Sequence, residues 1–147
     1  MHYLEINLQG IDENGNQKEY KLADFKGNNV ILYFYPQDDT PVCTKEAEDF
    51  RDEMNELKKY AMVVGVSADD IDSHIDFQNK HKLNFIMLSD EFNDLKNALN
   101  EHTPAVSNIH RATFILDKEG KIIKTWEKVD INDQIEDIKE FFKKMTE

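Results

Sequence analysis

The alternation of apolar and polar positions predicts a chain that switches repeatedly between strands and amphipathic helices. An unbroken apolar run at 30–35 has the length and the β-branched and aromatic content of a strand buried on both faces. Four further strands are predicted at 61–66, 85–88, 112–116 and 122–126. Apolar residues three and four positions apart predict helices at 47–57, 69–80, 92–99 and 135–145, the first of which begins near Cys43. This order predicts an α/β fold in which helices cover both faces of a central sheet.

Turn residues divide the strands at both ends of the chain. Leu4, Ile6 and Leu8 alternate with polar residues and predict a half-buried strand, and the turn-forming segment 12–16 after it predicts an N-terminal β-hairpin. A second hairpin is predicted around 117–120, with Gly120 in the left-handed conformation. No linker, repeat or low-complexity segment interrupts the pattern, so we expect one domain spanning residues 1–147.

Composition narrows the classes of function. A net charge of -12 disfavours a nucleic-acid partner, because such proteins neutralise phosphates with clustered Lys and Arg. No stretch is apolar enough for a membrane span, and residues 1–5 lack a basic region followed by an apolar run, which predicts a protein that is neither secreted nor membrane-bound. A single cysteine, Cys43, leaves no intramolecular disulfide and favours a reducing, cytoplasmic compartment.

Cys43 lies in the connection between the central strand and the following helix, which is where open α/β sheets place their sites. An ordinary thiol is about 3% ionised at pH 7, and helix N-terminal N–H groups with a nearby cation increase that fraction about 30-fold, which is worth about 2 kcal/mol. Such a gain is too small for efficient catalysis on its own. Hydrogen-bond donors aimed at the substrate must supply the rest.

Three other residues are candidates for that role. Thr40 precedes Cys43 by three positions, so its hydroxyl can face the sulfur in a tight turn. Pro36 stiffens the loop through its fixed φ and can shield the sulfur from water. The chain has two arginines, and Arg111 opens an apolar strand, where its charge needs a partner.

The segment from Phe34 to Glu46 resembles the active-site pattern of the peroxiredoxins, and its wider context is similar to the bacterioferritin-comigratory, or Q-type, subfamily. Similar stretches at 22–27, 64–67, 88–90 and 111–117 follow in the same order, so the resemblance covers nearly the whole chain. It implies a thioredoxin-like fold with a central mixed β-sheet, helices on both faces and an N-terminal β-hairpin. It also implies Cys43 as the peroxidatic cysteine, Thr40 and Arg111 as activating and peroxide-positioning residues, and Pro36 as a shield.

The same resemblance implies a thiol-dependent peroxidase that reduces hydrogen peroxide and organic hydroperoxides and needs no metal or organic cofactor. Two positions depart from the family pattern. Glu48 stands where a resolving cysteine often follows the peroxidatic one, and Val42 replaces a frequent glycine. A sulfenic acid on Cys43 therefore needs an external thiol, such as thioredoxin or a low-molecular-weight thiol. We expect a monomer or a weak dimer.

Two other classes of function stay open at this point. Cys43 could belong to a peroxide sensor or relay that passes its oxidation to a partner protein, or it could be incidental in a thioredoxin-like binding or holdase module. A lone cysteine is most often a small buried hydrophobe, but the matching motif reverses that preference. Thr40 and Thr44 are also candidate helix caps.

Simpler interpretations suit the remaining polar and aromatic candidates. We expect a surface ion pair for Arg51, a solvated pair for His74 and His81, and no catalytic role for His102 and His110. The aromatic strand residues predict core packing. They are Tyr33, Tyr35 and Trp126.

Overall fold

The computed structural model describes residues 2–103 and 111–146. It contains seven strands: β1 (Leu8–Ile11), β2 (Gln17–Tyr20), β3 (Val30–Phe34), β4 (Met62–Ser67), β5 (Ile86–Ser89), β6 (Thr113–Leu116) and β7 (Ile122–Trp126). It contains five α-helices: α1 (Pro41–Asp52), α2 (Met54–Leu57), α3 (Ile71–His81), α4 (Asp94–His102) and α5 (Gln134–Met145). Short 3-10 helices form at Tyr3–Glu5 and Leu22–Phe25.

All seven strands form one mixed sheet in the order β2-β1-β5-β4-β3-β6-β7. β3, β4 and β5 are parallel, while β1 and β6 add to the two sides of this group in antiparallel orientation. β2 and β7 are the edge strands. β2 forms a hairpin with β1, and β7 forms a hairpin with β6. This is the mixed sheet of the thioredoxin-like fold that the sequence predicts.

β3 is buried along its whole length because it separates two apolar cores. Successive strand side chains point to opposite faces, so Leu32 and Phe34 enter one core while Ile31 and Tyr33 enter the other. α4 covers the first core, and α1, α3 and α5 cover the second. The prediction that helices flank both faces of the sheet is confirmed.

The N-terminal hairpin is confirmed, but its first strand begins later than predicted. Tyr3–Glu5 forms a 3-10 helix in place of a strand, because the Tyr3 ring is buried and its hydroxyl donates to the Gly120 carbonyl at 2.6 Å. The strand starts at Leu8, and the Asp12 carboxylate organises the turn by accepting from the N–H groups of Asn14 and Asn16 at 2.9 Å each.

Two helix predictions need correction. The helix expected at 47–57 is interrupted at Glu53, whose backbone angles of φ -97° and ψ 5° separate α1 from α2. Phe92 lies outside α4 and is 80% exposed, because Asn93 takes a left-handed conformation with φ 60° immediately before the helix begins. An apolar residue at helical spacing is therefore not always part of the buried face.

The parallel strands end on the side of the sheet where the α1 connection begins. Residues 35–40 link β3 to α1, and this loop lies beside the end of β4 because Tyr35 N–H donates to the Val66 carbonyl at 3.0 Å. The sheet therefore presents this loop next to the first turn of α1 and the start of β6. In the part of the chain that the structure describes, no helix is long and apolar enough to cross a bilayer.

Candidate active site

Cys43 occupies the first turn of α1 and is 2% exposed. Thr40 is the N-cap residue with extended backbone angles, and Pro41 takes the first helical position, where its missing N–H costs no hydrogen bond. The N–H groups of Val42 and Cys43 have no acceptor within the helix, so the positive end of the helix dipole lies beside the sulfur.

Arg111 reaches Cys43 across a sequence separation of 68 residues. Its Nη2 donates to Cys43 Sγ at 3.1 Å, and its Nη1 donates to Oε1 of Glu46. The backbone beside it is fixed, because Phe34 N–H donates to the Ala112 carbonyl at 2.8 Å. The two ends of one guanidinium thus hold the sulfur and a carboxylate in a single planar fork.

Glu46 lies one helical turn after Cys43 and is 1% exposed. Its second oxygen accepts from Gln134 Nε2 at 2.8 Å, and the Gln134 carbonyl oxygen accepts from the Thr113 hydroxyl. Burial raises the pKa of Glu46, against the opposing effect of its bonds to Gln134 and Arg111. α5 and β6 therefore support the residue that orients Arg111.

The charge on Arg111 is well compensated. Partial burial lowers the pKa of Arg111, but its hydrogen bond to Cys43 and the charge of Glu46 outweigh that effect and raise the pKa overall. The guanidinium therefore stays charged. Beside the sulfur it supplies a permanent cation with directional N–H donors.

Thr40 and Pro36 both belong to the loop that leads into α1, but the Thr40 hydroxyl does not bond to the sulfur. It donates to the Gln37 carbonyl at 3.3 Å, and it does not cap α1. The Thr40 carbonyl instead accepts from Thr44 N–H at 2.8 Å, which starts the helix. Pro36 is partly exposed at the beginning of the loop.

A second polar cluster surrounds Asp38, in the middle of the loop between β3 and α1. Asp38 is 8% exposed and accepts from the hydroxyls of Tyr35 at 2.6 Å and Ser73 at 2.8 Å. His74 Nδ1 lies 2.7 Å from Oδ2 of Asp38, and His74 Nε2 lies 2.9 Å from the Leu88 carbonyl oxygen. The expectation of a solvated pair at His74 and His81 is wrong for His74, which is fully buried because it faces the sheet.

The neighbouring acid in the loop is exposed. Asp39 takes a left-handed conformation with φ 60°. Its carboxylate bonds to Lys80 Nζ at 2.7 Å and to His81 Nε2 at 2.9 Å. Two successive acids thus tie the loop to α3, one inside the protein and one at its surface.

Arg51 and His102 have partners other than Cys43. Arg51 forms ion pairs with Glu48 and Asp52, as predicted, and donates to the His81 carbonyl at 2.7 Å. His102 packs against the Tyr3 ring with centroids 4.9 Å apart, whereas His110 lies outside the described residues.

The aromatic residues on the strands pack as predicted. Tyr33 stacks on Phe50 with centroids 4.4 Å apart, and Tyr35 is buried. Trp126 packs edge-on against Phe141 at 6.1 Å.

Four residues that organise the site have no functional role predicted from the sequence. They are Asp38, Glu46, His74 and Gln134. A signal existed for Glu46, because it stands one turn from Cys43 on the face of α1 that also carries Ala47 and Phe50. An acid on the apolar face of a helix requires a buried partner. For the other three, the sequence contains no comparable signal.

The arrangement suits attack by a thiolate on an electrophile whose leaving group gains negative charge. Cys43 supplies a thiol, and Arg111 Nη2 donates to its sulfur. Within residues 2–103 and 111–146, no group of three or more His, Cys, Asp and Glu side chains is placed to hold a metal ion.

Comparison with known proteins identifies the family. The AhpC/TSA family model matches residues 4–125. The chain belongs to the AhpC/TSA family. It is 40% identical over 134 residues to peroxiredoxin Bcp of Bacillus subtilis, which covers 86% of this chain and 85% of that protein. It is 41% identical over 124 residues to a putative peroxiredoxin of Coxiella burnetii, which covers 80% of this chain and 82% of that protein.

Solved structures agree with this assignment. Structures of peroxiredoxin Q and of the bacterioferritin comigratory protein, both from Xanthomonas campestris, superpose with a TM-score of 0.85 at 27% identity, over 99% of this chain and 94% of theirs. The chain is a peroxiredoxin similar to the Bcp and Q-type proteins, with a single cysteine. It is therefore a thiol-dependent peroxidase, and the resemblance seen in the sequence is confirmed.

Proposed function

We propose that Cys43 is the peroxidatic residue and that Arg111, Thr40 and Pro36 form its peroxide site. The observation that carries the proposal is the 3.1 Å contact between Arg111 Nη2 and Cys43 Sγ, with the guanidinium held by buried Glu46. The Cys43 thiolate attacks one peroxide oxygen, the O–O bond breaks, and the leaving oxygen takes a proton to become water or an alcohol. The sulfur becomes a sulfenic acid.

Arg111 favours this step because its N–H donors stabilise charge on both the sulfur and the departing oxygen. We assign Thr40 to the peroxide through rotation of its hydroxyl away from the Gln37 carbonyl, a long bond of 3.3 Å that is readily exchanged. Pro36 and Pro41 limit the loop to a narrow range of backbone angles. The peroxide therefore meets an Arg111 donor that is already oriented and a Thr40 hydroxyl that turns toward it.

Replacement of Cys43 by serine tests the assignment directly. We expect Cys43→Ser to abolish peroxide consumption, while the wild-type protein acquires a sulfenate-specific label after one equivalent of peroxide without reductant. Undiminished consumption by the serine variant, or an oxidised wild-type protein with neither a label nor a mixed disulfide, would contradict the proposal.

The reductant must come from outside this chain, because Cys43 is its single cysteine. An external thiol attacks the sulfenic acid to release water and form a mixed disulfide, and a second thiol then restores Cys43. We propose thioredoxin or a low-molecular-weight thiol for this step. Steady-state assays with thioredoxin, glutathione plus glutaredoxin, and a bacillithiol-type thiol identify the reductant.

We propose both hydrogen peroxide and alkyl hydroperoxides as substrates. The bacterioferritin comigratory protein of Xanthomonas campestris, a structural neighbour, is described as having alkyl peroxide reduction activity. Rate constants for hydrogen peroxide and for a small alkyl hydroperoxide, measured in single turnover, rank the two. Failure of every reductant to support turnover, together with rapid single oxidation, would instead favour the peroxide sensor or relay that the sequence leaves open.

We further propose that residues 1–147 act as one domain, as a monomer or weak dimer in the cytoplasm. The free Cys43 supports a reducing compartment. Sedimentation of the reduced protein tests the oligomeric state, and cell fractionation tests the location.

A further inference from the structure

The loop that carries Pro36 and Thr40 is fixed to the rest of the protein through Asp38. The Asp38 carboxylate receives three side-chain donors within 2.8 Å, and its backbone N–H donates to Oδ2 of Asp69 at 2.7 Å. The same Asp69 oxygen accepts from the Ser67 hydroxyl at 2.6 Å. The middle of the loop is thus bonded to the end of β4 and the first turns of α3.

His74 is the one donor among these three to Asp38 that can bring a full positive charge. Both of its ring nitrogens face oxygen atoms, Oδ2 of Asp38 on one side and the Leu88 carbonyl on the other. A carbonyl oxygen only accepts, so Nε2 must carry hydrogen, and a neutral ring then has no hydrogen left for the carboxylate. The imidazolium satisfies both acceptors at once, in a site where the His74 side chain is 0% exposed.

We propose that the His74 imidazolium is a positioning residue of the peroxidase reaction, which acts through Asp38 on the loop that presents Pro36, Thr40 and the first turn of α1 to the peroxide. The inference rests on the function proposed above and deepens it. His74 touches neither the sulfur nor the substrate. Its loss would leave the Asp38 carboxylate buried without a cation and free the loop to shift.

The groups around His74 determine how its charge responds to pH. Burial lowers the pKa of His74, but the hydrogen bond and charge of Asp38, the bond to the Leu88 carbonyl and the charge of Asp69 outweigh it, and the pKa rises above its ordinary 6.5. Burial and Asp38 raise the pKa of Tyr35 well above its ordinary range, so this neighbour keeps its proton. The contact between His74 and Asp38 is therefore intact at neutral pH and weakens as the pH rises through the elevated pKa of His74.

The test compares two reactions of the same sulfur. Alkylation by iodoacetamide reports the availability of the Cys43 thiolate, whereas oxidation by hydrogen peroxide also depends on the positioned donors. In the wild-type protein we expect the ratio of the peroxide rate to the alkylation rate to fall as the pH rises above neutrality. A ratio that does not change with pH between neutrality and the onset of alkaline unfolding would overturn the proposal.

His74→Gln supplies the variant, and His81→Gln is its matched control on the same helix. We expect His74→Gln to lower the peroxide rate about tenfold at neutral pH with less change in alkylation, and to make the ratio independent of pH. His81→Gln leaves the ratio within about twofold of wild type, because Lys80 still holds the exposed Asp39.

The outcomes separate the two proposals. Thermal unfolding and circular dichroism establish that each variant is folded at the assay temperature. A purely structural role predicts a lower melting temperature with an unchanged rate ratio, and that result refutes the positioning role. If His74→Gln does not fold, the pH dependence of the wild-type ratio decides alone. A wild-type protein that does not react with peroxide at all would overturn the proposed function as well.

Discussion

Arg111 shows how one side chain joins the Cys43 sulfur to the protein interior. Its guanidinium bonds to Cys43 and Glu46 at the same time, and the planar fork permits both contacts without rearrangement. A lysine would keep the charge but present a single nitrogen to two partners. The two simultaneous contacts therefore require the geometry of the guanidinium and not only its charge.

The chain offers a matched test, because its other arginine is a surface residue. We expect Arg111→Lys to lower the second-order rate constant for peroxide about 100-fold, since donors aimed at the reacting atoms are lost. Arg51→Lys removes bonds to Glu48, Asp52 and the His81 carbonyl and should change the rate less than about threefold. Stopped-flow oxidation measures both. Equal effects of the two substitutions would contradict the assignment of Arg111.

Glu46 is expected to contribute to the peroxide rate without contributing to stability at pH 7. Glu46→Gln removes a buried charge, and the network can adapt because a flip of the Gln134 amide lets its oxygen accept from the introduced amide N–H while its nitrogen donates to the Thr113 hydroxyl. We expect the peroxide rate to fall about tenfold as Arg111 loses its ionic partner, with no loss of stability at pH 7. Chemical denaturation measures the stability of the variant, and stopped-flow oxidation measures its peroxide rate. A marked loss of stability would show that the charge of Glu46 also holds the fold.

The raised pKa of Glu46 determines the sign of its effect on stability. Because the folded-state pKa of Glu46 lies above its ordinary 4.5, the folded protein binds this proton more tightly than the unfolded chain. The contribution of Glu46 to stability therefore decreases as the pH rises from 4.5 through the raised pKa. Relative to Glu46→Gln, the wild-type protein should gain stability as the pH falls across that range. The opposite slope would mean that the ion pair with Arg111 dominates over burial.

The sequence draws attention to Cys43 and Arg111, which the structure brings into contact, but not to the residues behind them. Cys43, Thr40, Pro36 and Arg111 stand out through a motif or a charge in an apolar context. His74 gave no signal, because its partner Asp38 is 36 residues away and a charged pair separated so widely is visible only after folding. Long-range polar contacts depend on the packing of α3 against the sheet, which single-sequence patterns do not specify.

At the scale of elements, strong periodicity and burial determine which predictions succeed. β3 and α5 follow their predicted apolar patterns because both bury large side chains against the cores. The segment at Tyr3 fails because two-residue alternation over a short stretch also fits a 3-10 helix whose tyrosine hydroxyl has a distant acceptor. The weakest predictions are therefore those at chain ends and helix starts.

β1 owes its close contact with β5 to a glycine. A Cβ at Gly10 would lie 2.7 Å from Leu88 Cδ2, 2.9 Å from the Met87 carbonyl oxygen and 2.9 Å from Tyr20 Cδ2. We expect Gly10→Ala to destabilise the protein by about 1–3 kcal/mol, because the backbone oxygen cannot move without disturbing the strand pairing. Denaturant unfolding measures the loss. Gln9→Ala on the exposed face of the same strand is the control, and an equal effect there would contradict the steric explanation.

At the scale of the molecule, residues from distant parts of the chain meet at one sulfur. α1 carries Cys43 and Glu46, and the segment before β6 carries Arg111, which contacts Cys43. α5 supports Glu46 through a hydrogen bond from Gln134. This assembly requires α1 to be folded, with Cys43 buried. Reduction by an external thiol requires access to the same sulfur. Reaction with peroxide therefore needs a folded first turn of α1, whereas reduction of the oxidised sulfur needs that turn to open.

A second cysteine at position 48 would make the opening of α1 measurable. Residues 43 and 48 are both within α1, and in an ideal helix Cα atoms five positions apart are about 9 Å from each other, too far for a disulfide. Glu48→Cys can therefore form an intramolecular disulfide only if α1 unwinds. Glu48 is partly exposed and bonds only weakly to Arg51, so the substitution itself should cost little.

We expect peroxide to convert Glu48→Cys to a form with no free thiol and less helix, which reduction reverses, and thioredoxin-dependent turnover to exceed that of the wild-type protein. Thiol titration, circular dichroism and a coupled assay follow these three quantities. Glu56→Cys, on the exposed side of α2, is the control, which should keep its thiol and its helix content. A disulfide between Cys43 and the introduced thiol that formed with full helix content would refute the requirement for unwinding, because a folded α1 holds the two sulfurs too far apart to bond.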